Sequence, residues 1–176
     1  MRNEIIRNVK RVVVKIGTAS LCDKSGSLDE GRVEQLAEQV HALRQRGLQV
    51  AVVSSGAIGA GMNELGLKKR PTRLPQLQAC AAVGQGRLVA AYDRCFRRWG
   101  YHAAQMLLTR EDIDDRGRYL NASNAIHAVL AYGGVPLINE NDTIAVEEIT
   151  FGDNDGLAAL VTHLLQAQLM ILLSVV

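Results

Sequence analysis

The chain has 176 residues, 48% of them hydrophobic and only 4% aromatic, which is enough for one well-buried domain with a core of Ala, Val, Leu and Ile. Its net charge of +2 hides an asymmetry: residues 1–118 carry 20 basic and 12 acidic side chains (+8), and the remainder carries six acids with no Lys or Arg (−6). That split excludes a blanket basic face for nucleic acid and suits an acidic corner facing a basic one across a cleft, with uneven surface charge as the plainer alternative.

The first apolar run begins at Val12-Val13-Val14 and stops at Lys15 and Gly17-Thr18, which predicts a buried strand emptying into a turn. Ser27-Leu-Asp-Glu30 reads as a capping box that starts a helix. Val33, Leu36, Val40 and Leu43 follow at spacings of three and four, with Gly47 placed to close it. Leu48 to Ser54 predicts a second strand. The glycine-rich Gly56-Ala-Ile-Gly59-Ala-Gly61 then enters a short helix, and Leu74 to Trp99 reads as a long helix despite Gly84 and Gly86.

A third strand is expected over His102 to Leu108, where Met106, Leu107 and Leu108 read as core. Thr109 offers another cap, followed by a polar loop through Gly117 and a helix from Leu120 to Tyr132. The fourth strand spans Val135 to Ile138, and a loop and hairpin run from Asn139 to Gly152. A helix from Asp153 to Gln166 and an apolar strand from Leu169 to Val176 complete the pattern. Strand and helix alternate throughout, so the expectation is an α/β fold with a mostly parallel sheet covered on both faces.

Cys22, Cys80 and Cys95 are odd in number and form no CxxC pair, so a reducing cytoplasm is expected. No apolar segment reaches the roughly 20 residues that span a bilayer, and no signal peptide is legible, so a soluble cytoplasmic protein is expected. The four histidines make no ligand pair, which argues against a metal site of the zinc type. There is no GxxxxGK[ST] loop and no complete GxGxxG.

In an open parallel sheet, ligands sit beyond the carboxyl ends of the strands. Four polar clusters fall there: Lys15-Ile-Gly17-Thr18, Ser54-Ser55-Gly56-Ala57, Asn139-Glu-Asn-Asp142 and Gly152-Asp-Asn-Asp155. Glycines at strand ends let backbone N–H groups approach phosphate oxygens, and a following helix N-terminus adds positive potential. Each member also has an ordinary structural reading: a surface lysine, a serine cap, asparagine turns, and acids at a helix N-terminus. The basic run Lys68-Lys-Arg70 with Arg73 has no interleaved aromatic residues and reads as a solvated loop.

Together with Ala-Val-Gly84-Gln and Gln105-Met-Leu-Leu-Thr-Arg, these segments resemble the glutamate 5-kinase pattern of the amino acid kinase family. The match keeps the family order over nearly the whole chain, and its most specific parts are Asn139-Glu-Asn-Asp142 and Phe151-Gly-Asp-Asn-Asp155. The resemblance implies an αβα sandwich and ATP with Mg²⁺ as cofactors. The reaction it implies is phosphorylation of the side-chain carboxylate of L-glutamate to glutamyl 5-phosphate, on the way to proline. It further implies feedback inhibition by proline and a homo-oligomer.

Carried over by position, Lys15 would hold the transferring phosphoryl group and Asp155 would position the catalytic lysines. Ser55, Gly56, Asn139, Asp142 and Asn154 would bind glutamate, with Asp142 taking the ammonium. Gly17 and Ser174 would contact the nucleotide with Lys15. No residue is assigned as a direct metal ligand, and Asp153 and Glu140 are weaker candidates for contact through water. The family pattern continues past residue 176 into the adenine pocket and a second lysine. Residues 1–176 are therefore expected to form a partial amino acid kinase domain, inactive alone, whose nucleotide-binding C-terminal portion lies elsewhere. Where the family often has an acid after the last strand, this chain has Val175. The rival expectations are another amino acid kinase, for acetylglutamate or carbamate, and a noncatalytic amino-acid-binding regulator.

Overall fold

The computed structural model describes residues 8–23, 26–145 and 154–173. Its center is a five-stranded sheet formed by β1 (Arg11–Ile16), β2 (Gln49–Ser54), β3 (Ala103–Leu108), β4 (Val135–Glu140) and β5 (Leu169–Leu173), in the order β3-β4-β2-β1-β5. Every strand pair is parallel, from Val12 opposite Val50 and Leu169 to Ala103 opposite Val135. The helices are α1 (Thr18–Leu21), α2 (Glu30–Gln45), α3 (Ala57–Glu64), α4 (Leu74–Arg97), α5 (Arg110–Asp114), α6 (Arg116–Ala131) and α7 (Asn154–Leu164).

Because side chains alternate across a strand, each apolar run feeds two cores. Val12, Val14, Ile16, Val50, Val52, Val135 and Leu137 pack with Val33, Val40, Leu88 and Phe96 of α2 and α4. Val13, Ala51, Val53 and Ile138 pack on the other face with Ile126 and Leu130 of α6 and Leu157 and Val161 of α7. The α/β fold expected from the alternation, with helices on both faces of the sheet, is present, and the sheet is parallel throughout its described strands.

Three local expectations are corrected. Helix α2 is capped by Asp29, whose side chain accepts from Arg32 N, and not by Ser27. The carboxylate sits next to the first helical residue and carries the charge that a helix N-terminus favours. The polar loop expected before Leu120 is largely helical: Thr109 forms a capping box with Asp112 over α5, and Asp115 caps α6 from Arg116 onward. The fourth strand runs two residues past Ile138, so Asn139 and Glu140 belong to β4 and not to a loop. The hairpin expected up to Gly152 extends into residues outside the described ones, as does the end of the last strand.

Glycines set the spacing between α3 and α4. A Cβ on Gly61 would lie 1.8 Å from the Cys80 carbonyl oxygen, and one on Gly84 would lie 1.8 Å from the Ala57 oxygen and 2.3 Å from Gly61 N. The two helix backbones therefore touch, which no residue with a side chain permits at those two points.

Candidate active site

Three strand ends meet on one side of the sheet. The connections after β2 run over the α2/α4 face, and those after β4 run over the α6/α7 face, so a crevice opens between neighbouring strands whose chains leave in opposite directions. A cavity of about 240 Å³ occupies that place, lined by Lys15, Gly17, Ser55, Gly56, Asn139 and Asn154, with Arg70, Glu140 and Asp142 toward the acidic and basic sides. Its size suits a small polar metabolite better than a drug-sized ligand.

Strand parity decides where each side chain goes. Lys15 follows Val13 on the α7 face, and its Nζ lies 2.5 Å from Asp155 Oδ1 in the first turn of α7. The lysine is 8% exposed while its aspartate is 44% exposed, so the pair holds a nearly buried ammonium beside an open cavity. Asn139 follows Val135 and Leu137 toward α4, where its Nδ2 donates to Gln85 Oε1 at 2.9 Å. Asn154 Nδ2 donates to Asn139 Oδ1 at 2.8 Å and to Ser55 Oγ at 2.9 Å. Side chains from β4, α4, α7 and the end of β2 thus form one hydrogen-bonded chain.

Helix α3 begins in the cavity wall. Its N-cap, Gly56, has φ of +101°, a left-handed conformation that glycine adopts without strain, and provides no side chain to cap the helix. Ala57, Ile58 and Gly59 line the cavity, so the uncapped first-turn amides lie at a wall suited to an anion. Gly17 lines the cavity too, but its N–H is already donated to the Leu173 carbonyl oxygen at 3.1 Å, extending the pairing of β1 with β5.

The remaining wall is acidic. Burial pushes the Asp142 carboxyl up to about 6, Glu140 adds to the rise, and Arg70 opposes it. Above about pH 6 Asp142 is ionised and attracts a cation; below it the site loses that charge. Its effect on stability has the opposite sign: an acid whose folded pKa is raised loses stability as pH climbs from its unfolded value toward the folded one, and the loss is complete above about 6. Asp142→Asn should therefore melt at a higher temperature than the parent above pH 6, with the difference gone below pH 4. A melting series across that range checks this.

The structure thus gathers Lys15, Gly17, Ser55, Gly56, Asn139, Asp142 and Asn154 around one cavity, with Asp155 on Lys15. Ser174 and Asp153 lie outside the described residues. Two participants escape a sequence reading. Arg70, expected in a solvated loop, is exposed yet lines the cavity and makes no ion pair among the described residues. Gln85 lies in the middle of a long helix; it closes the Ala-Val-Gly84-Gln segment of the family resemblance, but no role at the site is legible for it there. No group of three or more His, Cys, Asp or Glu able to hold a metal occurs among the described residues. No described helix is long and apolar enough to cross a membrane.

Residues 10–176 match the model of the amino acid kinase family. The chain is 49% identical over 174 residues to the glutamate 5-kinase of Pelobacter propionicus, covering 99% of this chain and 47% of that protein. It is 50% identical over 174 residues to that of Geobacter sp. strain M21, with the same coverage. It is 51% identical over 164 residues to that of Caldanaerobacter subterraneus, covering 93% of this chain and 44% of that protein. The chain spans about half the length of the curated relatives it matches.

Proposed function

The chain belongs to the amino acid kinase family, and we propose from this premise that it is the glutamate-binding part of a glutamate 5-kinase. The full-length protein would transfer a phosphoryl group from ATP to the side-chain carboxylate of L-glutamate. The observation that carries the reading is the Lys15 ammonium, held by Asp155 in the cavity that also contains the Ser55–Asn154–Asn139 chain.

The attacking carboxylate of glutamate is ionised near neutral pH, so no general base is required. What the protein must supply is position and positive charge. Lys15 places an ammonium against the equatorial oxygens of the transferring group, and Asp155 keeps it turned into the cavity. The first-turn amides of α3 add donors beside it. Ser55, Gly56, Asn139 and Asn154 orient the amino acid, Asp142 takes its ammonium, and Arg70 takes a carboxylate.

ATP supplies the phosphoryl group, and the adenine pocket and a second lysine belong to the portion beyond residue 176. Mg²⁺ would be held mainly by the nucleotide phosphates and water. Proline as a feedback inhibitor, a homo-oligomer and a cytoplasmic location belong to the same proposal.

The reading is tested by selectivity. In the full-length protein with Mg²⁺ and ATP, ADP formation should depend on glutamate and not on N-acetylglutamate, whose blocked nitrogen offers Asp142 no cation. Preference for N-acetylglutamate would assign the other amino acid kinase activity. Arg70→Ala is expected to raise the KM for glutamate about 3- to 10-fold with kcat nearly unchanged, a modest effect because the guanidinium is exposed. Initial rates over a glutamate series at fixed ATP read this directly; an unchanged KM would return Arg70 to the solvent.

A further inference from the structure

We propose that Gln85 is a positioning residue for this site: by accepting from Asn139 it fixes the direction of the whole amide chain and leaves the Ser55 hydroxyl free to donate to a substrate carboxylate. The inference rests on the glutamate reading for the identity of the ligand and stands apart from it for the chain itself.

Gln85 is 6% exposed, and its Nε2 has no hydrogen-bond partner, so one end of a buried amide is left unsatisfied. That is unfavourable, and an apolar side chain of similar size would avoid it. What Gln85 provides is its carbonyl, which receives Asn139 Nδ2. Its place is set by the backbone contact at the preceding residue, Gly84, which holds α4 against α3. The chain therefore ends on a buried side chain whose backbone is held in place.

Each amide has one donor end and one acceptor end, so the direction at one link sets the next. With Asn139 Nδ2 committed to Gln85, only its Oδ1 faces Asn154, and Asn154 must present Nδ2. The same Nδ2 donates to Ser55 Oγ, so the Ser55 hydroxyl proton has no acceptor among the described residues. Reversed, the chain would consume that proton on Asn154 Oδ1 and offer the cavity an amide NH₂ in its place. Gln85 does not itself line the cavity, yet it selects between these two surfaces.

The test is a double-mutant cycle in the full-length protein. Gln85→Met keeps length and volume but removes the acceptor. It is expected to raise the Kd and KM for glutamate about 10-fold, with kcat and the KM for ATP within about twofold. Added to Asn139→Ala, it should raise the KM no further, because the residue it acts through is gone. An unchanged glutamate KM in the single variant, a full second penalty in the double variant, or a parallel rise in the KM for ATP would overturn the assignment.

Side-chain amide NMR separates this inference from the choice of ligand. Gln85→Met should shift the amide signals of Asn154 as well as Asn139, although Gln85 bonds only to the latter; an unmoved Asn154 signal in the folded variant would sink the idea even if glutamate is not the substrate. Gln85→Glu, which keeps an acceptor at the same length, should leave both signals near their original positions. It decides the matter if the methionine variant does not fold, since loss of both signals there would equally contradict the proposal.

Discussion

Replacing Lys15 with alanine in the full-length protein is expected to lower kcat by about 10²- to 10³-fold while leaving the Kd for glutamate within about threefold. The ammonium is nearly buried, is held by the Asp155 carboxylate at 2.5 Å, and faces the cavity in which charge would develop. Glutamate itself contacts a different set of side chains in the proposed arrangement, so its ground-state binding is spared. The Asp155 side chain is 44% exposed, and truncating Lys15 opens its buried Oδ1 to the cavity and water, so the variant should fold. Arginine is expected to rescue poorly, because its planar fork cannot occupy the point position of an ammonium. Single-turnover rates beside glutamate titrations separate the two effects; a kcat within a few-fold of the parent would remove Lys15 from the chemistry.

The second large effect concerns packing. Gly84→Ala would drive a methyl group into the Ala57 carbonyl oxygen and Gly61 N, both backbone atoms that no rotamer change can move. Overpacking of this kind costs about 3 kcal/mol, which for a chain of this size lowers Tm by roughly 6–12 °C. Relief by separating α3 from α4 would also displace Ala57 and Gln85, so the KM for glutamate should rise with the loss of stability. Gly86 provides the control on the same helix: it is exposed, and a Cβ there meets nothing within 4 Å. Gly86→Ala should stabilise the protein by about 0.5–1 kcal/mol through helix propensity alone. Thermal melts of the two variants therefore move in opposite directions, and equal shifts would contradict the close approach of the helices.

The contrast between these two glycines marks the limit of what the sequence reveals. Both read as tolerated interruptions of one helical pattern, because nothing local distinguishes a glycine in contact with another backbone from one facing water. The strands were legible for the opposite reason: Val12 to Val14 and Val50 to Val53 are buried on both faces, so their apolar runs follow directly from two-sided packing. The helix caps were legible in type but not always in place, since Ser27 and Asp29 both have capping chemistry and only geometry chooses between them.

The site divides in the same way. Lys15, Ser55, Asn139 and Asn154 stand at ends of elements, where polar residues interrupt apolar runs and topology predicts convergence. Arg70 reaches the cavity from an irregular loop whose path no periodicity encodes. Gln85 lies 54 positions from the Asn139 it bonds, on a helix whose close contact with α3 through Gly61 and Gly84 no periodicity encodes. The Asp142 shift is nonlocal in its main cause, burial, although Glu140 two residues away adds to it.

The most direct test asks whether the acceptor of the phosphoryl group is the side-chain carboxylate. The full-length protein is incubated with Mg²⁺, ATP and glutamate in the presence of hydroxylamine, and the products are quantified. An acyl phosphate reacts with hydroxylamine, so a hydroxamate at the glutamate side chain, formed in proportion to ADP and lost in Lys15→Ala, is the predicted result. ADP without hydroxamate, or glutamate binding without either product, would contradict the account and assign the cavity to an amino-acid-binding regulator.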